Sequence, residues 1–338
     1  MNKTGVLLVN LGTPDSPEPS DVKSYLQEFL TDKRVIDSSF LARQFLVRCV
    51  IVPRRYQESA AFYKKIWTPE GSPLFVHGKN VEKKLSELMG DKYKIVLGMR
   101  YKNPSLFSGL EQLRDCKQII VLPLFPQYAS ATTGSVHEKV MEIVSRQTII
   151  PEFSFVGNYP TQPSMIDAFC SLIQEHPLEY YDKLIFSFHG LPKKQIIKSD
   201  RHRCCLKTPD CCTKICNQNK NCYSAQCFAT ARAIINKLNL PENKYKICFQ
   251  SRLGKDPWLK PYTTDVLLEA ARQGDKKLLV VCPSFVCDCI ETIHEIGIEY
   301  RDEFLKAGGE ELQLVRGLND HPLWIKALSE LIQERTQT

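Results

Sequence analysis

Three groups of residues in this 338-residue chain have the types and spacing to do chemistry. His189 closes the apolar run KLIFSFH and is followed by Gly190. A histidine at the carboxyl end of a buried strand stands on the functional edge of an open α/β sheet, and a neutral imidazole accepts protons near neutral pH. A turn histidine satisfied by backbone would occupy the same place, so position alone leaves both readings open. The second group follows VVCPSF, where Asp288, Glu291, Glu295 and Glu299 recur at three- and four-residue spacing, the spacing that lines one face of a helix. Pointed into a cleft, such a row conducts protons or a hard divalent cation, which seeks carboxylate oxygen; pointed outward, it is a solvated acidic face. Cys287 and Cys289 beside it add soft ligands that suit a transition metal. The third group is a crowd of seven of the 14 cysteines between Cys204 and Cys227, interleaved with Lys and Arg. In a chain whose N-terminus reads as a strand and not as an export signal, such clustering favours metal ligation over a disulfide framework.

The elements that must position these groups are eight short apolar runs rich in β-branched residues. They are GVLLVNL from Gly5, KIVLGMR from Lys94, QIIVLPLF from Gln118, SFVGNY from Ser154, KLIFSFH from Lys183, KICFQSR from Lys246, KLLVVCPSF from Lys277 and LQLVRGL from Leu312. Helical patterns alternate with them, which predicts an α/β protein with parallel sheets flanked by helices. The two sets of four also resemble each other. YKIVLGMRYKNPSL from Tyr93 matches YKICFQSRLGKDPWL from Tyr245, and the first strand of each half ends in a Gly-x-Pro turn, at Gly12 and at Gly190. Repetition in the same order predicts duplication of one α/β domain. The expected domains are 1–155 and 156–338, with ligands in a cleft between them and an amphipathic C-terminal helix over 321–335 able to pack on either.

Composition is that of an ordinary globular protein, 43% hydrophobic and 25% charged, with a net charge of +7. Acids and bases are interspersed, and no Lys/Arg stripe with interleaved aromatics marks a nucleic-acid binder. No apolar run approaches the roughly 18 residues that span a bilayer, so a cytoplasmic protein is expected.

A set of motifs then resembles the ferrochelatase family, in the family's order and over nearly the whole chain. They are NLGTP from Asn10, EGSPL from Glu70, GMRY from Gly98, LPLFPQYASATTGS from Leu122, FSFHGLP from Phe186, FQSRLGKDPWL from Phe249 and FVCDCIETIHEIGIEY from Phe285. The resemblance implies two Rossmann-like, chelatase-type domains, with ferrous iron and a porphyrin as substrates and protoporphyrin IX favoured over coproporphyrin III. It implies His189 as the acceptor of pyrrole protons with Glu291 facing it, both also candidates to meet the metal, and Glu295 and Asp288 as the acidic path behind. Leu11, Arg100, Tyr101, Trp258 and Phe285 match pocket positions, and Arg55 and Ser72 are candidate partners for propionates. Cys289 stands where some members carry His.

Segment 201–222 departs from the simplest members by adding cysteines. Some members carry a [2Fe–2S] cluster, which favours that group here, on Cys204, Cys212, Cys216 and Cys222, with structural zinc, reduced thiols or disulfides as alternatives. Cys227 is read as packing. Segment 30–56 matches the pocket's lip, which reads either as a core-facing helix or as a peripheral contact with the inner membrane. Two rival functions are a cobalt chelatase for a related tetrapyrrole and a metal- or redox-sensing binding protein.

Overall fold

The computed structural model describes residues 3–208, 210–254 and 256–336. Pro209 of the cysteine-rich insert and Lys255 of the motif that begins at Phe249 lie outside them, as do the first two and last two residues of the chain. All eight expected strands form. They are β1 (Thr4–Gly12), β2 (Tyr93–Tyr101), β3 (Gln118–Pro123), β4 (Glu152–Phe155), β5 (Lys183–His189), β6 (Tyr245–Gln250), β7 (Lys277–Val281) and β8 (Glu311–Leu314). Among the described residues they make two four-stranded sheets, ordered β2-β1-β3-β4 and β6-β5-β7-β8, with every pairing parallel.

Helices cover the inner strands β1, β3, β5 and β7, which is why these runs are largely apolar and not alternating. In the first sheet Leu7, Val9, Val96 and Val121 pack against Leu106, Leu110 and Leu113 of one helix (Leu106–Leu113) and Val136, Val140 and Val144 of another (Ser135–Val144). The three- and four-residue spacing of those helical residues puts them on one face. In the second sheet Ile185, Cys248, Leu278 and Val280 pack against Val266, Leu267 and Ala270 of the helix Thr263–Arg272 and against Phe304.

The duplication extends to backbone detail. Near the end of β2 the Met99 N–H donates to Pro104 O (2.7 Å), and near the end of β6 the Phe249 N–H donates to Pro261 O (2.9 Å), each acceptor lying just before the next helix. The turn glycines are required at equivalent places. A Cβ on Gly12, at φ +120°, would lie 2.1 Å from Tyr101 O at the end of β2, and one on Gly190 would lie 2.7 Å from Gln250 O at the end of β6. In each half the first strand leaves its sheet by passing against the end of the second strand.

The chain divides into two compact units, Met1–Phe125 with Ala129–Asn158 and Ile325–Thr338, and Pro126–Tyr128 with Tyr159–Trp324. The C-terminal helix is Pro322–Gln333, most of it counted with the first unit. Among the described residues no helix is long and apolar enough to cross a membrane.

Candidate active site

β5 stays buried until its last residue, where His189 emerges partly exposed after the enclosed Phe188. The peptide groups around it are all held. The His189 N–H donates to Ser284 Oγ (2.9 Å), its carbonyl accepts from the Tyr223 hydroxyl (2.8 Å), and the Gly190 N–H donates to Gln250 O (2.8 Å). His189 Nδ1 lies 2.6 Å from the Gly190 carbonyl. A carbonyl only accepts, so this contact places a proton on Nδ1, and in the neutral ring the lone pair is then on Nε2. The rings of Phe285 and Trp258 stand 6.0 and 6.4 Å from the imidazole.

The acidic segment differs from the expected α-helix. Ile290–Tyr300 is a π-helix, whose i→i+5 bonding widens each turn and is found mostly at functional sites. Cys289 is its N-cap, so Asp288 precedes the helix and does not share the face of Glu291 and Glu295. Asp288 Oδ1 accepts from Thr292 Oγ1 (3.2 Å) and the Gly317 N–H (3.0 Å), while Oδ2 accepts from Asn319 Nδ2 (2.7 Å). The Asp288 N–H in turn donates to Asn319 Oδ1 (2.9 Å). Both oxygens of this buried carboxylate are hydrogen-bonded, and they clamp the start of the acidic helix to segment 317–319. Glu299 is exposed, 3.7 Å from His294 Nδ1.

Glu295 is oriented from three sides. Oε1 accepts from the Tyr300 hydroxyl (2.6 Å), and Oε2 accepts from Ser251 Oγ (2.6 Å) and Gln250 Nε2 (3.3 Å). The same Gln250 amide donates to the Glu291 carbonyl (2.8 Å) and accepts from Ser187 Oγ on β5 (2.8 Å). Burial pushes the Glu291 carboxyl above the usual carboxylate range, and the Glu295 charge adds to that push. Cys289 and His189 pull the other way without cancelling it.

In the first unit the expected pocket residues have these surroundings. Arg100 donates from Nη2 to Asp32 Oδ2 (2.7 Å) and from Nε to Ser135 Oγ (2.7 Å). Tyr101 is 1% exposed, and its hydroxyl also donates to Asp32 Oδ2 (2.9 Å), as does Ser135 Oγ (2.5 Å). These polar groups are hydrogen-bonded to one another around Asp32. Ser72 is buried and caps the helix Pro73–Met89 by accepting the Phe75 N–H (3.2 Å). Leu11 is partly exposed beside Gly12, and Arg55 is exposed on the helix Val52–Ile66. Asp32 carried no sign in the sequence of its central place.

The cysteine insert follows the helix Lys193–Ser199 and ends at Cys222, the N-cap of the helix Tyr223–Leu238. Asp200 accepts the N–H groups of Cys205 (2.6 Å) and His202 (3.1 Å), and the ligand atoms of Asp200, Cys204 and Cys205 lie within 4.8 Å of one another. Cys211 and Cys212 Sγ are 3.6 Å apart, and the Cys222 thiol contacts those of both Cys205 and Cys212. Burial pushes the Cys205 thiol up to about 12. Cys216, one of the four cysteines expected to act as ligands, is exposed, while Cys205, Cys212 and Cys222 are buried and Cys204 and Cys211 are half-buried. None of the described cysteines is in a disulfide. A cavity of about 250 Å³ lined by Asp200, Cys205 and Cys222 opens beside the thiols.

The family model for ferrochelatase matches residues 3–336. A ferrochelatase from Legionella pneumophila (strain Lens) is 44% identical over 333 residues, covering 98% of this chain and 99% of its own. One from Coxiella burnetii (strain CbuK_Q154) is 43% identical over 339 residues, covering 99% and 95%. Among solved structures, Bacillus subtilis SirB with Fe3+ superposes with a TM-score of 0.51 at 14% identity, covering 98% of this chain and 95% of that one, which supports the two-domain chelatase fold. A match over nearly the full length, joined to this fold, settles the family: the chain belongs to the ferrochelatases.

Proposed function

We propose that the chain inserts ferrous iron into protoporphyrin IX, with His189 Nε2 accepting a pyrrole proton and Glu291 facing it. The observation that carries this reading is the state of His189: its peptide and Nδ1 are fixed, while Nε2 keeps a lone pair at the open end of β5. Metalation releases two protons per porphyrin, and the ring must bend to expose its nitrogens, so a fixed base acts on the distorted ring. The raised proton affinity of Glu291 suits it to receive or relay the second proton, and Glu295, held by Ser251, follows four positions along the same helix. Phe285 and Trp258 give the imidazole aromatic neighbours suited to a flat macrocycle. The test is loss of porphyrin fluorescence on adding ferrous iron anaerobically, with protoporphyrin IX and coproporphyrin III run in parallel. Faster metalation of protoporphyrin IX is expected, and metalation of neither would sink the proposal.

The insert is proposed to hold a [2Fe–2S] cluster on Cys205, Cys211, Cys212 and Cys222, with Cys204 adjacent. The thiols fit in number and softness and form a chain of pairwise contacts, Cys205 to Cys222 to Cys212 to Cys211, with a cavity beside them. When bound, such a group supplies a redox-active cross-link between the two ends of the insert. Anaerobically purified protein is expected to contain equal amounts of iron and acid-labile sulfide; zinc without sulfide would reverse this assignment.

The lip is proposed to touch an anionic bilayer. Phe40, Leu41 and Phe45 are 64%, 78% and 66% exposed, next to exposed Arg48, Arg54 and Arg55. Flotation with vesicles containing anionic lipid is expected to carry the protein at low salt, and a Phe40→Ser/Leu41→Ser variant is expected to stay behind. Equal flotation of both would remove the lip from the contact.

A further inference from the structure

The join between the insert and the catalytic strand deepens the reading of His189 and rests on it. We propose that Tyr223 is a positioning residue for His189, and that through it the cysteine insert forms part of the scaffold that aims the imidazole. The geometry is a closed ring of hydrogen bonds. The His189 N–H donates to Ser284 Oγ (2.9 Å), Ser284 is hydrogen-bonded to the Tyr223 hydroxyl, and that hydroxyl donates to the His189 carbonyl (2.8 Å). The residue is therefore gripped at both ends of its own peptide by one pair of hydroxyls, and Nδ1 is locked onto the next carbonyl. Little freedom remains for the direction of Nε2.

Tyr223 is buried, and the residue before it is Cys222, whose thiol touches both Cys205 and Cys212. The same first helical turn is fixed to the insert by the Cys212 contact to Ser224 Oγ (3.3 Å) and by Gln226, which donates to Lys220 O (2.6 Å). A change at the thiols has a single-residue path to the hydroxyl that holds His189. A role in packing alone would not require the Tyr223 oxygen to meet the one carbonyl that belongs to the proton acceptor.

The test is Tyr223→Phe in the full, anaerobically purified chain. Misplacing a catalytic group by about 1 Å can cost as much as 10²-fold, so kcat for metalation is expected to fall about tenfold or more. KM for porphyrin and for iron should stay within about twofold, with iron and sulfide content unchanged. On a His189→Ala background the same substitution is expected to cost nothing further, because residues acting through one group are non-additive. Equal losses on both backgrounds, or a Tyr223→Phe rate near wild type, would overturn the proposal. The 15N resonances of the His189 ring, identified by their loss in His189→Ala, give a readout independent of turnover. They are expected to shift in Tyr223→Phe and in Cys222→Ser, and unchanged resonances in either would break the corresponding link. If Tyr223→Phe fails to fold, Ser284→Ala opens the same ring from its other side. The reading of His189 itself is judged separately, since near-normal turnover by His189→Ala alone would end it whatever Tyr223 does.

Discussion

Replacing His189 with alanine is expected to cut porphyrin metalation by about 10²–10⁴-fold, the usual contribution of a positioned proton acceptor. The expectation follows from where the side chain's atoms are spent. Nδ1 is engaged by the Gly190 carbonyl, and Nε2 is the group left for substrate. The strand, the glycine turn and the contacts to Ser284 and Tyr223 all use backbone atoms that alanine retains. The imidazole is partly exposed, so its removal opens little cavity, and the thermal midpoint should move by only a few degrees. Because the lost interaction acts on the chemical step, kcat and kcat/KM should fall together. Added imidazole should restore part of the rate by supplying the missing base. Turnover by His189→Ala within a fewfold of wild type would transfer proton acceptance to another group, with Glu291 the first candidate given its raised proton affinity.

The fold was legible because its signal is local. An inner strand of a parallel sheet covered on both faces needs a largely apolar run, and β1, β3, β5 and β7 each supply one that no long-range partner has to complete. The duplication was legible for the same reason, since Gly12 and Gly190 each meet the end of the neighbouring strand and admit no side chain. The acidic segment reads as a helix but its class does not show. Three- and four-residue spacing does not separate an α-helix from the wider turn of a π-helix, and the cap at Cys289 that excludes Asp288 depends on the Thr292 hydroxyl accepting the Cys289 N–H.

The site was legible in its types and less so in its assignments. His189 and Glu291 stand at the strand end and on the helix that follows the third strand of their half, which the order of elements alone anticipates. The duties of Asp288, Arg100, Tyr101 and Ser72 are set by partners the chain brings from elsewhere: Asn319 lies 31 positions from Asp288, and Asp32 lies 68 from Arg100. Resemblance to pocket positions does not reveal these hydrogen-bond partners. Spacing ranks Cys216 with the other thiols and does not show that the insert folds through Asp200, which gathers Cys204 and Cys205 while Cys216 is exposed.

The largest stability effect is expected at Asp32, which the sequence did not single out. Three donors, Arg100 Nη2, the Tyr101 hydroxyl and Ser135 Oγ, converge on Oδ2 at 2.5–2.9 Å, with side chains only 5% exposed for Asp32 and 14% for Arg100. Asp32→Asn keeps the volume but turns an acceptor into an amide that must present its N–H₂ or only one oxygen to the same donors, and it leaves the guanidinium without its counter-charge. Removing one partner of a buried pair costs about 3–5 kcal/mol, and the lower end applies because the pair is not fully sealed. At about 2–4 °C per kcal/mol for a unit of this size, the first unit's midpoint should fall by roughly 6–12 °C. Burial alone would raise the Asp32 pKa, but the Ser135 hydrogen bond, the Arg34 N–H, the Arg100 charge and the Tyr101 hydroxyl outweigh it and hold the carboxyl below its usual range. A folded-state pKa below the unfolded value means that the stabilisation is complete above the ordinary carboxylate value of about 4 and is lost as pH falls through the folded value. Denaturant unfolding of wild type and Asp32→Asn should therefore differ by the same amount at pH 6 and pH 8, with the gap closing on acidification below pH 4. A gap that persists unchanged at pH 3, or no gap at pH 7, would show that the network is not organised around an ionised Asp32.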